Sequence, residues 1–180
     1  MTILRIDSSI TGDASVSRQL TAAIIAQLQA QDPTAQVIAR DLVASPLSHL
    51  TLGGSGDADV LDEFLAADTI VVGAPMYNFT VPSQLKAWID RVLIAGKTFK
   101  YGADGPVGLV GGKRVIVALS RGGFYEDNSA FEHAKSYLQA AFGFIGITSE
   151  FVTADGIAVG PEQREAGIAQ GLAEVERLAA

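Results

Sequence analysis

The sequence predicts a three-layer α/β sandwich built on a five-stranded parallel sheet. Short runs such as Thr2–Ile6, Thr69–Ala74 and Arg114–Leu119 are apolar without alternation, the pattern of strands covered on both faces. Between them lie longer stretches whose apolar residues recur at helical spacing. The alternation runs through all 180 residues with no internal repeat and no linker, so residues 1–180 read as a single domain with right-handed crossovers.

The elements follow in order. Thr2–Ile6 is the first strand, and the polar loop SSITGDA leads into a helix from about Ser15 to Gln31, with Val16, Leu20, Ile24 and Leu28 on one face. Asp32–Pro33 stops it. Gln36–Ala39 is the second strand. Residues 41–57 read as loop, with Gly53–Asp57 (GGSGD) the most flexible stretch. A short helix then turns Val60, Leu61, Phe64 and Leu65 inward. Thr69–Ala74 is the third strand. Val81, Leu85, Trp88, Ile89 and Val92 mark the next helix, with Pro82 suited to its first turn. Residues 96–112, rich in glycine, form an excursion with the look of a hairpin. Arg114–Leu119 is the fourth strand. A helix over Ser129–Phe142 places Phe131, Ala134, Leu138 and Phe142 on one face and His133 mid-helix, turned to solvent. Ile147–Thr153 is the fifth strand, and Pro161 opens a last helix carrying Ile168, Leu172, Val175 and Leu178.

Composition narrows the function classes. No cysteine is present, which removes disulfides, thiolate metal sites and a cysteine nucleophile, and fits a reducing compartment. The formal net charge is −7 with no basic run, a poor match to nucleic acid or an anionic membrane surface. The start of the chain lacks a basic and apolar leader pattern, and no apolar run is long enough to span a bilayer, so a cytoplasmic location is expected. His49 and His133 have no metal-ligand partners at useful spacing.

Five strand–helix units in this length fit the strand order 2-1-3-4-5. In such sheets ligands bind beyond the carboxyl ends of the strands, where the order reverses. The loops to inspect follow strands one, three and four. The first holds Ser8, Ser9, Thr11, Gly12, Ser15 and Ser17 and runs into a helix N-terminus, where free N–H groups and the helix dipole favour an anion. Ser15 is also a natural helix cap, and serine-rich helix starts are common. The sequence is neither GxGxxG nor a P-loop. The second loop, Met76-Tyr77-Asn78-Phe79, offers flat apolar surface around an amide, as a planar ring ligand requires; the same aromatics equally suit anchoring of the next helix. The third, Ser120-Arg121-Gly122-Gly123, lets backbone approach a ligand edge or simply turns out of a strand.

Taken together, SSI with S-x-S after it, APMYNF, QLK, GPVGLV, SRGG, GFIGI, DGIA and GPE resemble the FMN-dependent NADH azoreductase family, a branch of the flavodoxin-like quinone reductases. The resemblance runs over most of the chain and implies a flavodoxin-like fold. It also implies FMN as cofactor, NADH or NADPH as donor, a quinone or azo acceptor, and a homodimer. Carried onto matching positions, it assigns the phosphate to Ser9, Ser15, Val16 and Ser17. It assigns one side and the edge of the ring to Met76, Tyr77, Asn78 and Phe79, with Ser120, Arg121, Gly122 and Gly123 completing the ring site. Val16 stands where a polar residue is common, so only its backbone N–H can serve. Tyr101, Phe124 and Phe144 are candidates for the substrate pocket. No side chain must attack or ionise, so no catalytic acid, base or metal ligand is assigned. The segment between Leu47 and Asp68 is shorter than in the family. A one-electron carrier of the same fold is the alternative reading.

Overall fold

The computed structural model of the protein describes residues 1–52, 58–126 and 129–178. The glycine-rich stretch Gly53–Asp57 therefore lies outside the described residues. The chain runs β1 (Thr2–Asp7), a 3-10 turn (Gly12–Ala14), α1 (Val16–Gln31), β2 (Gln36–Asp41), α2 (Ala58–Ala66), β3 (Thr69–Pro75) and α3 (Ser83–Val92). It continues through β4 (Phe99–Gly102), β5 (Gly105–Gly108), β6 (Arg114–Ser120), α4 (Ala134–Phe144), β7 (Ser149–Ala154) and α5 (Pro161–Arg177).

The main sheet has the order β2-β1-β3-β6-β7, all parallel, while β4 and β5 form a separate antiparallel hairpin. Removing that excursion gives the expected order 2-1-3-4-5. The order reverses between β1 and β3, where Asp7 pairs with Gly73 on one side and Asp41 on the other. The carboxyl ends Asp7, Pro75, Ser120 and Ala154 thus lie along one edge.

Alternate residues of the buried strands feed two cores. Leu4, Ile6, Ile70, Val72, Val115 and Val117 point to α2, α3 and α4, with Phe64 and Trp88 in edge-to-face contact at 6.0 Å. Ile3, Val71, Ile116 and Val152 point to the opposite face, against Leu20, Ile24 and Leu28 of α1 and Val175 of α5. Two-sided burial explains why β3 is apolar at nearly every position.

Strand β2 runs on to Asp41, two residues past its expected end, and two element starts move by two residues or more. Helix α4 begins at Ala134, not Ser129, because the buried Glu132 carboxylate accepts from the N–H groups of Ala134 and Lys135 and so takes the capping role. Phe131 consequently sits before the helix and is exposed, and His133 is at its N-terminus. The last strand begins at Ser149 because residues up to Ile147 close the turn after α4, with Gly146 at φ 94°.

The excursion is the hairpin the sequence suggested, and glycine fixes its seat. A Cβ on Gly108 would overlap Ile145 and Gly146 backbone, and one on Gly111 would lie 2.7 Å from the Gly146 carbonyl oxygen. The GPVGLV and GFIGI motifs are therefore two sides of one close backbone contact, sealed by Val110 N–H donating to the Ile145 carbonyl at 3.2 Å.

Candidate functional site

The first loop is held by hydroxyls. Ser8 Oγ donates to the Gly73 carbonyl at 2.6 Å, tying the end of β1 to β3. Ser15 caps α1: its side chain accepts from Arg18 N–H at 3.2 Å, a contact worth about 1 kcal/mol. The buried Ser17 hydroxyl lies 3.1 Å from that of Ser15. With Arg18 N–H satisfied, the N–H groups of Val16 and Ser17 at the helix start have no intrahelical acceptor and lie at the positive end of a 16-residue helix. Arg18 itself reaches back, donating to the Ser9 carbonyl at 3.0 Å and to both Asp41 carboxylate oxygens at 2.7 and 2.9 Å. The pairing pulls the Asp41 pKa down to about 2. Its cation is spent on protein rather than offered to a ligand.

The second loop leaves β3 at Pro75 and turns back in four residues. Tyr77 and Thr80 exchange backbone hydrogen bonds at 2.9 and 3.1 Å, while Asn78 and Phe79 take φ 48° and 73°. Asparagine tolerates this left-handed backbone; phenylalanine does so at a cost of about 1–2 kcal/mol. The Phe79 carbonyl accepts His133 N–H at 2.8 Å and its ring meets Phe131 at 5.6 Å, which offsets the strain. Tyr77 bridges two loops. Its hydroxyl lies 3.1 Å from Ser9 Oγ and accepts Ile10 N–H at 3.2 Å.

The third loop is laced to the one after β7. Arg121, almost fully buried, donates to both oxygens of Asp155 at 2.6 Å. Backbone bonds run alongside: Arg121 N–H to Ala154, Ile157 N–H to Arg121, Ala158 N–H to Gly122 and Gly156 N–H to Gly123. The SRGG and DGIA motifs thus form one unit.

These loops surround a cleft of about 530 Å³ at the switch point. Of the residues expected to bind, Ser9, Ser15 and Val16 line one end, and Met76, Tyr77, Ser120 and Gly122 line the rest. Residues absent from the expected set join them: Thr11, Ala14, Pro75, Ile157, Ala158 and Arg164. Thr11 was visible within the serine loop. Ala14 ends that same loop, Pro75 belongs to APMYNF, and Ile157 and Ala158 belong to DGIA, while Arg164 lies outside every motif and reaches the cleft from α5. Ser17 acts behind Ser15, and the Arg121 side chain is engaged with Asp155, leaving its backbone toward the loop. A Cβ on Gly123 would lie 3.5 Å from the Tyr125 ring.

Asn78 lines a neighbouring hollow of about 500 Å³ with Tyr77, Pro82, Lys86 and Tyr137. Burial, with the nearby Asp90 charge, pushes the Tyr137 phenol up to about 12, so it stays protonated at neutral pH. Phe79 is half exposed at the rim. The expected pocket aromatics lie outside the cleft lining. Tyr101 is exposed on the hairpin, Phe144 packs on Phe99 at 4.6 Å, and Phe124 lies exposed over Gly156.

Residues 1–179 match the model of a family described by its flavodoxin-like fold. An FMN-dependent NADH:quinone oxidoreductase of Bradyrhizobium diazoefficiens is 53% identical, with each chain fully covered. The chain belongs to the FMN-dependent NADH:quinone oxidoreductase family. A further member, from Xanthomonas campestris pv. campestris, is 50% identical over 99% of both chains. The alignment with the Bradyrhizobium member spans 201 positions against the 180 residues of this chain, so that oxidoreductase carries residues this one lacks, in keeping with a shortened segment. Among solved structures, an azoreductase of Bacillus anthracis superposes with a TM-score of 0.89 at 32% identity, covering 99% of this chain and 98% of the other. An FMN-dependent NADH-azoreductase from the same species, solved in complex with FMN, gives 0.83 at 25% identity over 99% of each.

Proposed function

We infer that this oxidoreductase binds FMN in the switch-point cleft and carries reducing equivalents from NADH or NADPH to quinones and azo compounds. The observation that carries the reading is the make-up of the cleft. One end is a helix N-terminus with serine hydroxyls and free N–H groups, and the other is flat apolar surface from Pro75, Met76 and Ile157. That donor set fits a phosphate at one end and a planar ring at the other, and the volume lies within the range of small-molecule sites.

Bound FMN supplies the hydride relay between the two substrates. The chain's own residues do the rest. Ser9, Ser15, Val16 and Ser17 would hold the phosphate, the serines through their hydroxyls and Val16 through its N–H. Met76 and Tyr77 would shape one face of the ring site, with Asn78 and Phe79 at its rim. Ser120 and the backbone of Arg121, Gly122 and Gly123 would meet the ring edge, where N–H donors stabilise developing negative charge. The Tyr77–Ser9 contact couples the phosphate end to the ring end. A homodimer and a cytoplasmic location complete the reading; the family resemblance supports the first, and the lack of cysteine favours the second.

The test is an absorbance spectrum of the purified protein before and after NADH without oxygen. A flavin spectrum that bleaches directly to the two-electron reduced form, and returns on adding menadione or methyl red, is the expected result. A flavin that ignores NADH would identify a one-electron carrier instead. A protein that neither carries nor takes up FMN would defeat the reading.

A further inference from the structure

Three guanidinium groups stand around the cleft, and two are already matched. Arg18 is clamped on Asp41 and Arg121 on Asp155, each by paired hydrogen bonds. The third, Arg164, rises from the first turn of α5, where its N–H donates to the Gly160 carbonyl at 2.9 Å. It lines the cleft beside Ser9, Thr11, Ser15 and Val16, and its Nη2 donates to the Ala14 carbonyl at 2.9 Å. Among the described residues, no carboxylate forms an ion pair with it. Arg164 therefore brings the cleft lining a cation that is not neutralised by a protein carboxylate, in a chain of net charge −7.

We propose that Arg164 is a specificity-determining residue that reads the charge of the ligand's phosphate, so that the cleft prefers FMN to the uncharged-tail flavin riboflavin. The inference rests on the FMN reading. Serine hydroxyls and helix N–H groups donate to any oxygen-rich end, whereas a guanidinium with free donors discriminates a dianion from a hydroxyl. The bond to Ala14 fixes the side chain over the turn that precedes α1 and leaves its remaining N–H donors for the ligand. The cation arrives from α5, far in sequence from the serine loop, so the two halves of the anion site meet only in the fold.

The test uses the full chain stripped of flavin, with fluorescence titration of FMN and of riboflavin at low and moderate salt. Arg164→Gln keeps a donor for the Ala14 carbonyl and removes the charge, and Arg164→Lys keeps the charge. The expected result is a loss of FMN affinity of about tenfold in the Gln variant, with riboflavin changed less than about twofold, and a smaller loss in the Lys variant. Salt should weaken FMN binding by the wild type more than by the Gln variant. Unchanged FMN affinity in the Gln variant, or equal losses for both flavins, would overturn the assignment and leave the FMN reading standing. A wild-type chain that binds neither flavin would overturn both.

Discussion

Replacing Asp155 by alanine should destabilise the protein by about 3 kcal/mol. Asp155 receives two charge-assisted hydrogen bonds of 2.6 Å from Arg121, which is only 6% exposed. Hydrogen bonds to charged groups contribute roughly 1.5–3 kcal/mol each, and breaking a buried pair from one side costs about 3–5 kcal/mol because a buried charge is left behind. Two features pull the value to the low end. The Asp155 side chain keeps 19% of its exposure, and Arg121 retains the Tyr125 ring at 5.6 Å. The backbone bonds between the two loops also survive. For a chain of this size the loss corresponds to a fall in Tm of about 6–12 °C. Urea unfolding followed by Trp88 fluorescence is the assay, since that residue is the sole tryptophan and fully buried. The double variant Arg121→Met with Asp155→Leu should lie nearer the wild type than Asp155→Ala does, because neither member of the pair then keeps a charge. A loss below about 0.5 kcal/mol for the single variant would refute the reasoning and reduce the pair to a surface contact.

Further expectations follow from the same loops. Tyr77→Phe removes the contacts to Ser9 Oγ and Ile10 N–H, so stability should fall by about 1 kcal/mol and FMN should leave several-fold faster; an unaltered release rate in a stopped-flow dilution would separate the two loops. Gly108→Ala places a Cβ in Ile145 and Gly146 backbone, and should cost about 2–3 kcal/mol in urea; wild-type stability would show that the hairpin is free to lift. Asp41, lowered from 3.8 to about 2 mainly by its hydrogen bonds with Arg18, stabilises the fold above its unfolded pKa, and that stability is lost as pH falls from about 4 to about 2. Its side chain is 36% exposed, so screening holds the contribution to about 1 kcal/mol. The stability gap between wild type and Asp41→Asn should therefore close across that window, and a gap that stays constant would contradict the assignment.

The sheet was legible because strands buried on both faces write continuous apolar runs, and β1, β3 and β6 do so almost without interruption. Their order then followed from the alternation with helices. The start of α4 was not legible. Phe131 stands three residues before Ala134 and imitates a helical face, while the residue that sets the boundary, Glu132, is acidic and looks like a solvent residue until its carboxylate is seen on the first N–H groups. The serine loop and the PMYNF loop announced themselves by composition. The far wall did not: Ile157 and Ala158 sit in DGIA, a motif to which no site role was given, and Arg164 lies outside every motif; they become site residues only because β7 lies next to β6. The Arg121 side chain illustrates the same limit. A motif placed it at the site, but only the fold supplies Asp155, which takes its guanidinium away from any ligand.

The ties among the loops have a consequence for anyone who would rebuild this rim. Tyr77 fastens the second loop to the first, Arg18 fastens the first to the end of β2, and Arg121 with Asp155 fastens the third to the fourth. Each segment is shaped by a partner outside itself. A loop transplanted alone into a related scaffold would arrive without the hydroxyl, carboxylate or carbonyl that gives it its form. The exchangeable module is a pair of loops, one from each of two neighbouring strands, and chimeras cut between partners should lose order at the rim while the sheet beneath them stays folded.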